Sequence, residues 1–211
     1  MTVEYKTMFE VPPLGIFKYQ GDMEAILDYA SQLAYRDTGF NQQSDDSYVL
    51  NNEKLTDLKE FCLQAVHQYQ RDVLHVDQSL DIQQSWINVC GLNGNHPSHY
   101  HVNSFLSGVL FLNSARENNS PICFESPVAK HNYSIEVHPQ TDDLTNTHIP
   151  SSIDVYSQQS EPKTLVIFSS LINHFVPSNK SNTNRISLAF NTFPTLPFGS
   201  KRRLTSVDAS S

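Results

Sequence analysis

The stretch 99–113, His-Tyr-His-Val-Asn-Ser-Phe-Leu-Ser-Gly-Val-Leu-Phe-Leu-Asn, places two imidazoles one residue apart and then runs into an apolar segment of strand length. In an extended chain, residues two apart point to the same side, so His99 and His101 can face one point. Turn formers precede the pair: Gly91, Asn93, Gly94, Asn95 and Pro97. From residue 82 onward the hydrophobic pattern suits strands, with candidates at 83–90, 104–113, 121–125, 133–138, 152–156, 163–169, 174–176 and 185–192. Many short strands separated by turn residues, after a helical beginning, predict an α+β, mainly β chain with a β-sandwich or jelly-roll core.

Outward from that core, the N-terminal part reads differently. Residues 7–20 predict a leading strand interrupted by Pro12-Pro13. Asp22 is placed to cap a helix whose Met23, Ile26, Leu27, Ala30 and Leu33 share one face. The polar stretch 36–49 reads as a loop. A second helix runs from near Asn52 to about Leu74, with Leu55, Leu58, Cys62, Ala65, Val66, Tyr69 and Val73 at three- and four-residue steps. His67 and His75 read as a helix-surface and a helix-end residue. The stretch 139–150 is too polar for a core and reads as a surface loop or, with its flanks over 127–160, as a mobile cover for the barrel mouth. His131, His138 and His148 fall in this stretch or beside it and read as solvent-exposed. The expected organisation is a single domain over 1–198, helical over about 20–75 and jelly-roll over about 82–193, followed by a polar, frayed tail at 199–211.

Composition narrows the function classes. Twenty-two acidic against fourteen basic residues leave a formal charge of -8, which argues against a nucleic-acid partner. The basic run Lys201-Arg202-Arg203 reads as a solvated tail. Twelve Phe and nine Tyr suit a β-rich interior. Cys62, Cys90 and Cys123 are odd in number and widely spaced, which predicts buried thiols in a reducing compartment. No apolar run approaches a membrane span and no signal peptide is evident. A cytoplasmic protein without membrane or nucleic-acid partners is expected, acting on a small-molecule or peptide substrate, with a homodimer admitted as its assembly.

Three histidines sit where chain geometry can unite them. His174 follows the apolar strand Leu165-Val166-Ile167-Phe168 after a short link, and an antiparallel barrel can set that strand end beside His99. Neutral imidazoles suit Fe, Zn, Cu and Ni. An H-x-H pair by itself equally suits two surface or hydrogen-bonded histidines. Arg185, opening the strand Arg-Ile-Ser-Leu-Ala-Phe-Asn, reads by itself as a surface strand-end charge and, with a His eleven residues upstream, adds context. An inward guanidinium among apolar neighbours needs an anion, matches a carboxylate in bidentate fashion, and has Ser187 on the same side. Asn88 shares a strand face with Trp86, which reads first as core. His96 reads as a loop residue.

The order H-x-H, Leu106-Ser107-Gly108-Val109-Leu110-Phe111, Leu165-Val166-Ile167-Phe168-Ser169-Ser170, His174, then Arg185-Ile186-Ser187 resembles the 2-oxoglutarate- and Fe(II)-dependent oxygenases. More narrowly, it is similar to members found in marine bacteria and phages that carry H-x-H before a Leu-Ser-Gly strand. The resemblance is firmest over 86–113 and 164–192. It implies a double-stranded β-helix, a cupin-like jelly roll, with Fe(II) and 2-oxoglutarate as cofactors. His99 becomes the first ligand, His174 the distal one, and His101 stands where the wider superfamily has Asp or Glu. The site is then a three-His centre, or a carboxylate such as Glu125 completes it. Arg185 would bind the distal carboxylate of 2-oxoglutarate, with Ser187 and Asn88 assisting, and Phe111 stands where many relatives have a polar aromatic. The implied reaction is O₂-dependent hydroxylation coupled to decarboxylation of 2-oxoglutarate to succinate. Two rivals share the barrel: a three-His cupin-type metalloenzyme that uses no 2-oxoglutarate, and a catalytically silent jelly-roll binding module.

Overall fold

A two-residue alternation along four central strands separates two apolar surfaces and thereby builds the molecule. In the computed structural model, which describes residues 12–113, 120–127 and 155–208, these strands are β4 (Leu80–Cys90), β6 (Leu106–Phe111), β9 (Thr164–Ser169) and β11 (Arg185–Pro194). On one face Ile87, Leu106, Leu110, Leu165, Ile167, Leu188 and Phe190 pack against the helices. On the other, Val109, Phe111, Val166, Phe168 and Ala189 join Ile122 and Phe124 of the facing sheet.

With β1 (Gly15–Lys18), β2 (Tyr35–Asp37) and β3 (Gln42–Ser44), the central strands form a seven-stranded antiparallel sheet in the order β1-β9-β6-β11-β4-β3-β2. A second antiparallel sheet, in the order β5-β10-β7-β8, contains β5 (His96–His99), β7 (Ile122–Glu125), β8 (Val155–Gln158) and β10 (His174–Val176). The expected jelly roll is the fold. Gly108 is required by close approach: a Cβ there would lie 2.2 Å from Phe190 Cζ, whose ring covers it.

The helices follow their sequence signals. Asp22 caps α1 (Met23–Ser31) by accepting from the Glu24 and Ala25 amides. Two 3₁₀ turns over 49–55 lead into α2 (Thr56–Tyr69), whose Leu58, Cys62, Ala65, Val66 and Tyr69 are buried. His67 Nε2 lies 3.0 Å from the Leu80 carbonyl, which ties α2 to β4. All three cysteines are free and buried.

Two expectations are corrected. The stretch 36–49 is not a loop: it carries most of the β2–β3 hairpin, which extends the large sheet beyond β4. Gly39 turns the chain with φ +82°, and Asp37 accepts from its amide at 2.8 Å. Polar rungs concealed this edge, since strand alternation is legible only when one face is apolar. The tail is held as far as residue 207, because Phe198 and Val207 exchange backbone hydrogen bonds at 2.8 and 2.9 Å. Residues 201–203 form an exposed 3₁₀ turn. The strand read at 133–138, the cover at 139–150, the outer parts of the strands at 7–20 and 152–156, His131, His138 and His148 lie outside the described residues. Among the described residues no helix is long and apolar enough to cross a membrane.

Candidate metal centre

Strand pairing converts the sequence separation of the histidines into contact. His174 is the register partner of His99 on β5 and of Phe124 on β7, so its short strand is held on both sides. His101 lies just past β5, where its amide donates to the Ser170 carbonyl at 2.8 Å. Within this frame, one ligand atom from each of His99, His101 and His174 lies within 4.8 Å of the others. Ring centroids are 4.3 Å apart for His99–His174, 5.0 Å for His99–His101 and 5.2 Å for His101–His174.

Backbone carbonyls set the tautomers. His99 Nδ1 lies 2.8 Å from the Pro97 carbonyl, and His174 Nδ1 lies 3.0 Å from that of Ile172. A carbonyl only accepts, so each Nδ1 carries the proton and each Nε2 keeps its lone pair for a metal. Burial, reinforced by the neighbouring imidazoles, holds His174 down to about 3 and His101 to about 4. His99 is lowered mainly by burial. All three are therefore neutral near pH 7, the state a metal requires.

The histidines open into a cavity of about 390 Å³ that Arg185, Ser187, Asn88 and Trp86 also line. Arg185 is 3% exposed. Its Nε donates to the Ser120 carbonyl at 3.0 Å and to Ser160 Oγ at 3.2 Å, and its Nη1 to Ser187 Oγ at 3.1 Å. Among the described residues Nη2 is buried without a partner. The guanidinium carbon stands 5.2 Å from the centroid of the Phe111 ring. Burial draws the Arg185 pKa down to about 10, which leaves the group cationic at neutral pH. Asn88, register partner of Ser187, has its Oδ1 buried and unpartnered.

Some site readings change. Trp86 is a cavity wall rather than core alone, with its ring 5.9 Å from His101. His96 belongs to β5, not a loop, and packs 4.2 Å from His99. Its pKa falls to about 4 through burial and then through His99. Glu125 does not join the histidine group; its Oε2 accepts from Asn173 at 3.3 Å. Arg36, Gln43 and Gln84 line the cavity and escaped sequence reading. The first two lie on the hairpin, whose lack of apolar alternation left no signal.

Residues 84–191, just over half of the 211-residue chain, match the family model described as "Putative 2OG-Fe(II) oxygenase". No curated protein matches the chain. HygX from Streptomyces hygroscopicus, solved with nickel, 2-oxoglutarate and hygromycin B, is 12% identical with a TM-score of 0.62, over 88% of this chain and 84% of that one. An oxidoreductase of the 2OG-Fe(II) oxygenase family from Burkholderia pseudomallei is 14% identical with a TM-score of 0.56, over 81% of this chain and 77% of that one. A Pseudomonas putida prolyl-4-hydroxylase is 10% identical with a TM-score of 0.54, over 85% of this chain and 92% of that one. At these identities the likeness is one of fold. The family match runs from β4 to β11 and encloses the strands that form the cavity, so the chain belongs to this family of 2-oxoglutarate- and Fe(II)-dependent oxygenases.

Proposed function

We propose that the chain is a dioxygenase that hydroxylates a small-molecule or peptide substrate, with iron held by His99, His101 and His174. In this reading 2-oxoglutarate is received by Arg185, Ser187 and Asn88. The observation that carries the reading is the unpartnered Nη2 of a buried arginine, in the same cavity as three neutral imidazoles. A buried cation without a counter-ion is costly, and a carboxylate at Nη2 relieves that cost. The donor set fits the metal: imidazoles suit Fe(II), and two of the three have their tautomer fixed toward the cavity.

When bound, Fe(II) and 2-oxoglutarate supply oxygen activation, with 2-oxoglutarate consumed to succinate and CO₂ and one oxygen atom placed in a substrate C–H bond. The chain's own residues orient and shield. Arg185 anchors the far carboxylate by Nη2, while its other donors stay on Ser120, Ser160 and Ser187 and keep the fork from rotating. Asn88 offers an amide beside that anchor. Phe168 and Phe124, with ring centroids 4.8 and 6.1 Å from His174, keep water from its inner side. A cupin-type reaction without 2-oxoglutarate has no use for the Arg185 anchor.

Iron titration and succinate release test this reading. One Fe(II) per chain and 2-oxoglutarate-dependent succinate formation are expected, and His99→Ala or His174→Ala should abolish both. Unchanged iron affinity in both variants would remove the assignment.

A further inference from the structure

The cavity wall on the large sheet is polar along two straight lines. Arg36 is the register partner of Gln43, Gln43 of Asn88, and Asn88 of Ser187, so four polar side chains cross β2, β3, β4 and β11 in one row. A second row joins Gln84, Asn191 and Ser107. Between them runs the row of Trp86, Ala189 and Val109. The inner end of the second row is satisfied within the protein, since Ser107 Oγ donates to Asn191 Oδ1 at 2.8 Å. In the first row, Asn88 Oδ1 is buried with no donor among the described residues, beside the co-substrate position proposed above. Arg36 Nη2 donates to Gln43 Oε1, which draws the guanidinium toward β3, and among the described residues no carboxylate pairs with it.

Charge sharpens the pattern. The chain carries 22 acidic residues against 14 basic ones, yet no described residue lining the cavity is Asp or Glu. Two arginines line it, Arg185 in its depth and Arg36 at its exposed edge. In an acidic protein, a cavity free of carboxylates and flanked by guanidinium groups favours anions over cations. Arg36 lies two strands from β4, where Trp86 meets His101, and its guanidinium leans back toward β3. At one strand spacing per step, Arg36 stands about 10 Å across the sheet from β4.

We propose that the prime substrate is an anion whose carboxylate or phosphate is received by Arg36, with neutral hydroxyl or amide groups between that anion and the reacting carbon. Gln43 and Gln84 read those neutral groups and the Trp86 indole forms the floor beneath them. The inference rests on the metal and co-substrate positions proposed above. Guanidinium matches both oxyanions, so the shared chemistry is the oxyanion itself.

The test uses protein loaded with iron and 2-oxoglutarate and kept free of oxygen, so that Arg185 is already engaged. Three compounds are compared for each uncharged amino-acid side chain: the N-acetyl amino acid, its N-acetyl amide and the amino-acid amide, carrying charges of about -1, 0 and +1. A second arm compares sugar phosphates with the parent sugars and separates phosphate from carboxylate as the source of the anion. Calorimetric Kd and melting temperature are the readouts. At least one anion should bind about tenfold or more tightly than its neutral counterpart. Arg36→Gln should remove that margin and Arg36→Lys should retain much of it. Absence of any melting shift from 2-oxoglutarate in the wild-type protein would refute the function proposed above, and this inference falls with it. If that shift is present, then equal binding of all three charges, no binding of any anion, or a preference that survives Arg36→Gln overturns the present inference alone.

Discussion

Arg185→Gln removes the charge and the fork from the proposed co-substrate anchor while keeping an amide beside Ser187 and Ser160. In the wild-type protein two donor nitrogens of Arg185 are engaged, Nε with Ser120 and Ser160 and Nη1 with Ser187, and Nη2 is left for a carboxylate. A hydrogen bond to a charged group contributes about 1.5–3 kcal/mol. Losing it should raise the KM for 2-oxoglutarate by about 12- to 140-fold, at about 1.4 kcal/mol per factor of ten. Melting curves offer a second readout. Ligand at about 100 times its Kd stabilises the wild-type protein by about 2.7 kcal/mol, and a hundredfold weaker Kd cuts this to about 0.4 kcal/mol at the same concentration. For a chain of this size, the shift falls from about 5–11 °C to about 1 °C. Succinate release against 2-oxoglutarate concentration and oxygen-free melting curves measure the two effects. Iron affinity should stay within about twofold, because no ligand is touched. An unchanged KM together with a full melting shift would refute the role of Arg185.

His101→Asp exchanges an imidazole for the carboxylate that the wider superfamily has at that position, and iron-dependent turnover should be preserved or rise. Loss of iron from that variant, measured by metal analysis, would mark a strict three-His site. Gly108→Ala drives a Cβ to 2.2 Å from Phe190 Cζ, so urea unfolding should show a loss of about 1–3 kcal/mol. Phe190→Leu in the same chain should return part of it. Metal-free protein should lose stability as pH falls below 6.5. The unfolded His174 takes a proton near 6.5, but the folded one resists until about 3, so folding is favoured above that window and penalised through it. At pH 5 the His174 contribution alone is about 2 kcal/mol. Melting temperature against pH, compared with that of His174→Asn, should show a flatter profile in the variant.

The sequence singles out His99, His101, His174 and Arg185 because each carries a local signal: an alternate-residue pair, a strand end and a strand start. The pairing of His174 with His99 was beyond it, since register across the small sheet depends on a fold that no local window contains. Ser187 and Asn88 were readable as same-face neighbours of Arg185 and Trp86, yet only the sheet sets them side by side. The β2–β3 hairpin was missed because Arg36, Gln42 and Gln43 offer no apolar rung, and a solvent-facing strand lacks the pattern that betrays a buried one. Trp86 and His96 were placed by the commonest environment of their residue types. The cavity asks for something rarer: an aromatic floor and a strand histidine stacked on a neighbour.

The two arginines of the cavity differ most in depth. Arg185 is closed in by Ser120, Ser160 and Phe111, whereas Arg36 stands exposed at the sheet edge. A molecule resting along the outer rows would lie across the route to the inner one. On the binding positions proposed above, depth becomes chronology: the co-substrate has to arrive before the prime substrate, and succinate departs only after the product has cleared the edge. On this geometry a large excess of prime substrate slows the next cycle, by occupying the doorway while the inner berth is still empty.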